Sequence, residues 1–149
     1  MQSKKILLVE DSANDIELTL AALDTYALAN EVAVARDGAE ALDYLFRRGA
    51  FSSRPPQNPV LVLLDLKMPK VNGLEVLRQI RSDPVLRAIP VVVLSASREE
   101  PDLAEAYRLN VNAYVVKPVS FEKFIDVVKQ LSLFWLLINE PPPMRGARE

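Results

Sequence analysis

The sequence predicts a doubly wound α/β domain, a five-stranded parallel sheet in the order 2-1-3-4-5 with helices on both faces. Three observations predict it. Short, β-branched-rich apolar runs recur along the chain without polar alternation, which is how strands buried on both faces read. Amphipathic stretches of helical period separate these runs. The chain has 149 residues, half of them apolar, which suits one domain with a sizeable core.

The elements follow in order. Ile6-Leu7-Leu8-Val9 is the first strand. A helix follows with Ile16, Leu20 and Leu23 at helical spacing, and Ser12 is its candidate cap. Glu31-Val32-Ala33-Val34-Ala35 is a weaker second strand, and Ala39, Leu42, Leu45 and Phe46 form the next amphipathic stripe. The connection from Gly49 to Pro59, with Pro55-Pro56 inside it, is longer than most helix-to-strand links. Val60-Leu61-Val62-Leu63-Leu64 is the third strand, and Leu74, Leu77 and Ile80 mark a helix stopped before Asp83-Pro84. Val91-Val92-Val93-Leu94 is the fourth strand. Pro101 suits the first turn of a helix through Leu103, Ala106 and Leu109.

Ala113-Tyr114-Val115-Val116 is the fifth strand. The last helix opens near Ser120, carries Phe121, Phe124, Ile125, Val128 and Leu131, and is expected to run unbroken to about Asn139. Strands alternating with helices give right-handed βαβ crossovers and a flavodoxin-like arrangement. One domain over 1–139, ending in an extended C-terminal helix, and a flexible tail over 140–149 are expected.

Composition narrows the function. Net charge is -2 and the pI about 5.3, with signs mixed along the chain, so neither nucleic acid nor an anionic membrane is expected as a partner. With no His and no Cys, a Ser-His-Asp triad, a thiolate or imidazole metal site and a disulfide are all excluded. The start, MQSKKILLVED, has too short an apolar run for a signal peptide, and the apolar stretch near Phe134 is too short to span a bilayer. A cytoplasmic location is expected.

Glu10 and Asp11 follow the first strand and Asp65 follows the third. In an open parallel sheet the carboxyl ends of the strands line the ligand crevice, and this strand order makes strands one and three neighbours. A single carboxylate after a strand is an ordinary solvated loop residue or helix cap. Three that converge raise one another's pKa unless a cation joins them. Oxygen ligands without His or Cys suit a hard ion, and Mg2+ is expected. Ser95 ends the fourth strand and Lys117 the fifth, on the same edge. There a lysine and a hydroxyl can hold the oxygens of an added phosphoryl group. A cis bond at Lys117-Pro118 would make a tight turn there.

These residues resemble, in this order, the receiver domain of bacterial two-component response regulators. The matching pieces are Ile6-Leu7-Leu8-Val9-Glu10-Asp11, Leu64-Asp65-Leu66-Lys67-Met68-Pro69, Asn72-Gly73, Leu94-Ser95-Ala96 and Tyr114-Val115-Val116-Lys117-Pro118. The separations, 30 residues from Asp65 to Ser95 and 22 more to Lys117, also fit. The resemblance implies that Asp65 is the phosphoacceptor, that Asp11 binds Mg2+ directly and Glu10 mainly through water, and that the Lys67 backbone carbonyl completes the protein ligands. It implies that Lys117 pairs with the phosphoryl oxygens, and that Ser95 and Tyr114 form the switch. The long connection at Gly49 to Pro59 and the stretch Leu131 to Ile138 look like the small regulators that partner bacterial and cyanobacterial phytochromes.

The resulting expectation is a phosphorelay response regulator, not itself an enzyme beyond its own phosphorylation and dephosphorylation. Its donor is a sensor histidine kinase, with a phytochrome as the candidate. An aspartyl-phosphate phosphatase or phosphotransferase is the alternative, but such enzymes usually need a second aspartate two residues after the nucleophile, where this chain has Lys67. A nucleotide-binding module lacks its glycine-rich loop here. A structural pseudo-receiver would be expected to lack phosphorylation residues that this chain has. No attached output domain is expected after the last helix, so the signal is expected to pass by partner binding, by transfer to a histidine phosphotransfer protein, or into a phosphate sink. Finally, Phe134, Trp135, Leu136, Leu137 and Ile138 are apolar on every side of a helix. Either this end folds back over its own domain, or Phe134 and Trp135 anchor a homodimer through the fourth helix, fifth strand and fifth helix.

Overall fold

The computed structural model describes residues 5–24, 31–68, 71–96, 101–133 and 137. Five parallel strands, β1 (Ile6–Val9), β2 (Val32–Ala35), β3 (Leu61–Asp65), β4 (Val91–Ser95) and β5 (Ala113–Val116), lie in the order β2-β1-β3-β4-β5. The helices are α1 (Ala13–Leu23), α2 (Gly38–Phe46), α3 (Gly73–Ser82), α4 (Asp102–Arg108) and α5 (Phe121–Gln130). The expected fold class and strand order are therefore found.

Every residue of β1, β3 and β4 is buried. Successive side chains point to opposite faces, so one strand feeds two cores. Leu7, Val9, Val62, Leu64, Val91 and Val93 pack with α2, α3 and α4. Ile6, Leu8, Leu61, Leu63, Val92 and Leu94 pack with α1 and α5. A sheet covered on both sides explains the unalternated apolar runs. Side-chain caps start α1, α2, α3 and α5: Ser12, Asp37, Asn72 and Ser120 accept from the backbone N–H of Asp15, Glu40, Glu75 and Lys123.

Two segments differ from expectation in an informative way. The long connection after α2 holds a short 3-10 helix at Gly49–Phe51. Behind it the Arg54 guanidinium donates to the carbonyls of Tyr44 at 2.8 Å and Gln57 at 2.8 Å, and sits 4.4 Å over the Tyr44 ring. One arginine thus adds a second donor to the Tyr44 carbonyl at the end of α2 and fixes the extra residues against the domain.

The last helix does not run on to Asn139. α5 stops at Gln130, and Ser132 takes a left-handed φ of 60°. Its N–H donates to Lys129 O at 3.1 Å and that of Leu133 to Val128 O at 2.9 Å, which closes the helix end. After this reversal Leu137 is helical and fully buried in the core shared by α1 and α5. Phe134, Trp135 and the expected tail at 140–149 lie outside the described residues. Among the described residues, no helix is long and apolar enough to cross a membrane.

Candidate functional site

Sheet register brings the polar strand ends together. Val9 of β1 is level with Leu64 of β3, so Glu10 and Asp65 emerge side by side. Asp65 is level with Leu94 of β4, and Ser95 with Val116 of β5, so Ser95 and Lys117 complete the row. The Lys117 N–H donates to Ser95 O at 2.8 Å, which extends the ladder to the site itself. The Lys117-Pro118 bond is cis. A cavity of about 190 Å³ lies at this edge, lined by Glu10, Asp11, Asp15, Asp65, Ser95 and Lys117 among others.

Glycine sets how closely the elements approach. A Cβ on Gly73 would stand 2.4 Å from Asp65 O and 2.6 Å from Leu66 Cα, so only glycine lets α3 begin against the end of β3. The Gly73 N–H donates to Leu66 O at 3.0 Å, and the Lys67 N–H reaches Asp65 Oδ1 at 3.3 Å. The turn after β3 is thereby held around the Asp65 carboxylate.

Lys117 is the electrostatic centre. Its Nζ lies 2.9 Å from Glu10 Oε1, 3.0 Å from Asp15 Oδ2 and 3.3 Å from Asp65 Oδ2. Glu10 and Ser95 are buried, Asp65 nearly so, and Asp11 is exposed at the mouth. Burial pushes the Glu10 carboxyl up to about 7. The Lys117 ammonium beside it opposes that rise, and the charge of Asp65 adds to it. Burial would lower the Lys117 ammonium, but the carboxylates of Glu10, Asp15 and Asp65 around it outweigh burial and hold it above its ordinary value.

One lysine does not neutralise these acids. Glu10 Oε1 is buried and, though within ion-pair distance of Lys117, has no hydrogen bond of acceptable geometry. Carboxylate oxygens of Glu10, Asp11 and Asp65 lie within 4.8 Å of one another. An orphaned buried oxygen beside oxygen-only donors of this closeness fits a hard divalent cation.

The structure brings together Glu10, Asp11, Asp65, Ser95 and Lys117, with Lys67 on the cavity wall. It sets Tyr114 apart. That ring is half-buried on β5 and lines a separate cavity of about 580 Å³ with Tyr107, Lys123, Asp126 and Val127, on the side of α4 and α5. Tyr107 meets Tyr114 edge to face, with centroids 6.2 Å apart. Sequence reasoning missed Asp15. Its signal was there: Asp15 stands three residues after the Ser12 cap, which places it in the first turn of the helix that follows β1.

Residues 6–129 match the family described as response regulator receiver domain. The chain belongs to that family. Response regulator Rcp1 of Synechocystis sp. is 41% identical over 133 residues, covering 89% of each chain. A structure of the bacteriophytochrome response regulator RtBRR is 59% identical with a TM-score of 0.84, over 96% of this chain and 86% of that one. The phosphorylated cyanobacterial phytochrome response regulator RcpA is 45% identical with a TM-score of 0.74, over 89% and 94%. A Mn(2+)-bound form of Rcp1 is 39% identical with a TM-score of 0.72, over 95% and 99%. This receiver domain is thus related to the phytochrome response regulators, and its acidic cluster fits the divalent metal binding expected of such a domain.

Proposed function

We propose that this receiver accepts a phosphoryl group on Asp65 from the phosphohistidine of a sensor kinase, in the presence of Mg2+. The carrying observation is the convergence of Lys117 and Glu10 on the Asp65 carboxylate. An Asp65 carboxylate oxygen attacks phosphorus, the O–P bond forms, and the P–N bond breaks with its electron pair going to the imidazole. Lys117, already positioned, takes a phosphoryl oxygen, and Ser95 donates to another. Glu10, Asp11 and Asp65, with the Lys67 carbonyl, would hold the Mg2+, which offsets negative charge on the transferring group. Water later cleaves the acyl phosphate and restores the carboxylate.

The relatives named for phytochromes support a phytochrome-type kinase as the donor. A histidine phosphotransfer protein is a candidate acceptor for onward transfer. The test is labelling with a phosphorylated kinase or a small phosphodonor. An acid-stable, base-labile acyl phosphate is expected, lost in Asp65→Asn and on chelation of Mg2+. Undiminished labelling of Asp65→Asn moves the acceptor elsewhere. A second reading concerns assembly. The cavity beside Tyr107, which is 46% exposed, lies on the face proposed for a homodimer, with Phe134 and Trp135 as anchors.

A further inference from the structure

Three carboxylates hold the Lys117 ammonium, and they are not equivalent. Glu10 and Asp65 belong to the group of carboxylates close enough to share one cation, and Asp15 does not. Asp15 also comes from a different element. It sits in the first turn of α1, where its N–H is fixed by Ser12 Oγ at 3.1 Å, whereas Glu10 and Asp65 sit at strand ends. Its Oδ2 accepts from Lys117 Nζ at 3.0 Å, and both side chains are partly shielded from water.

An ammonium has three protons and here faces three carboxylates. To grip a phosphoryl oxygen on Asp65 it must release one or more of them. A cation shared by Glu10 and Asp65 draws those two carboxylates away from the lysine. Without a further anchor the flexible four-carbon stem would then be free to leave the cavity for water. We propose that Asp15 is a positioning residue that keeps Lys117 in the cavity when Glu10 and Asp65 turn to the cation, leaving the other two ammonium protons for the phosphoryl group. This rests on the reading of Asp65 as phosphoacceptor.

The inference is tested on the full chain with Mg2+ as the added cation. The first measurement is water exchange of the Lys117 ammonium by nitrogen-15 NMR, assigned by Lys117→Arg. In the wild-type protein the signal should remain protected when Mg2+ is added, and in Asp15→Asn it should vanish. A wild-type signal lost on adding Mg2+, or one retained in Asp15→Asn, overturns the proposal. The wild-type arm needs no Asp15 variant, so a signal lost on adding Mg2+ overturns the proposal even if Asp15→Asn folds poorly.

The second measurement is labelling by a small phosphodonor across a Mg2+ series. In Asp15→Asn the maximal rate should fall about tenfold or more, because a misplaced lysine misaligns the phosphoryl group, while half-saturation by Mg2+ changes little. Asp15→Glu, which keeps the carboxylate, should recover part of the rate. An effect confined to Mg2+ half-saturation would make Asp15 only a nearby charge and overturn the proposal, as would a wild-type maximal rate in Asp15→Asn. Labelling that persists in Asp65→Asn would instead defeat the phosphoacceptor reading, and the exchange measurement would still decide the role of Asp15.

Discussion

The Lys117 ammonium lies 3.3 Å from the Asp65 carboxylate, closing a ring of charge across β1, β3 and β5 at one edge of the sheet. Both groups are largely withdrawn from water, so each is costly without the other. Two of the three carboxylates on this ammonium also belong to the candidate cation cluster. Cation and lysine therefore draw on the same negative charge.

Lys117→Ala follows directly from that relationship. It leaves the buried Glu10 and Asp65 charges facing each other, so stability without metal should fall by about 3 kcal/mol. Mg2+ should restore much of that stability, since a cation answers the same charges. Labelling on Asp65 should still fall, because nothing then holds the phosphoryl oxygens. Urea unfolding with and without Mg2+ checks the first part, and a variant equally unstable in both would contradict it.

The Glu10 carboxyl gives a pH signature. Its folded value of about 7 lies above its ordinary value of 4.5, so between the two the folded state binds more protons than the unfolded chain. Stability from this group is therefore greatest at the acid end of that window and declines as pH rises toward 7. Mg2+ competes with the same proton, so its stabilising effect should grow from pH 5.5 to pH 8. Thermal melts at both pH values, with and without Mg2+, measure this. Glu10→Gln should flatten the metal-free decline, and an equal Mg2+ effect at both values would argue against a shared site.

Gly73→Ala tests how the site is framed. The new methyl would lie 2.4 Å from the Asp65 carbonyl oxygen, a backbone atom that cannot swing aside. Overpacking of this kind should cost about 2–3 kcal/mol. Because the strain falls on the phosphoacceptor's own backbone, labelling should drop even where the variant remains folded. A crystal structure of the variant with Asp65 unmoved and labelling intact would show that this close approach is incidental.

Most of the fold was legible because its sheet is buried on both faces, which writes Ile6 to Val9 and Val91 to Leu94 as plain apolar runs. The site was legible because it is built at strand ends, where a carboxylate, a hydroxyl and a lysine stand out against those runs. Three features were not. Asp15 depends on a contact between α1 and the end of β5, more than a hundred residues apart along the chain, as the separation of 102 makes plain. Tyr107 depends on α4 packing beside Tyr114. The stop at Gln130 depends on where Leu137 finds its core, and an apolar run alone reads equally well as a continuing helix.

Ser95→Ala tests the switch. The hydroxyl is buried in the cavity wall, while its strand is laddered to β5, which carries Tyr114 toward α4. The variant should accept phosphate yet lose most of the response at Tyr114 and Tyr107, since the donor that ties the phosphoryl oxygen to β4 is gone. Beryllofluoride-induced NMR shifts at the two tyrosines report this. Shifts of wild-type size in Ser95→Ala would mean that the signal travels by another route.

The last prediction concerns assembly. Of the apolar segment 134–138, Leu137 is buried inside its own domain, so this residue is not available to a partner. Phe134 and Trp135 carry the largest side chains of the segment, and aromatic anchors dominate the energetics of most interfaces. In the sequence they follow α5 within a few residues, and Tyr107, Tyr114 and Lys123 of α4, β5 and α5 line an open cavity. A two-fold contact there would let each copy cover the other's cavity with the same residues. Replacing Phe134 and Trp135 together with Ala should give a folded monomer that still takes phosphate on Asp65, whereas Leu137→Ala should lower stability by about 3 kcal/mol through a cavity in the core. The two variants thus separate packing within the domain from contact between copies. Sedimentation at tens of micromolar decides it: a wild-type protein that is monomeric both with and without beryllofluoride excludes the dimer.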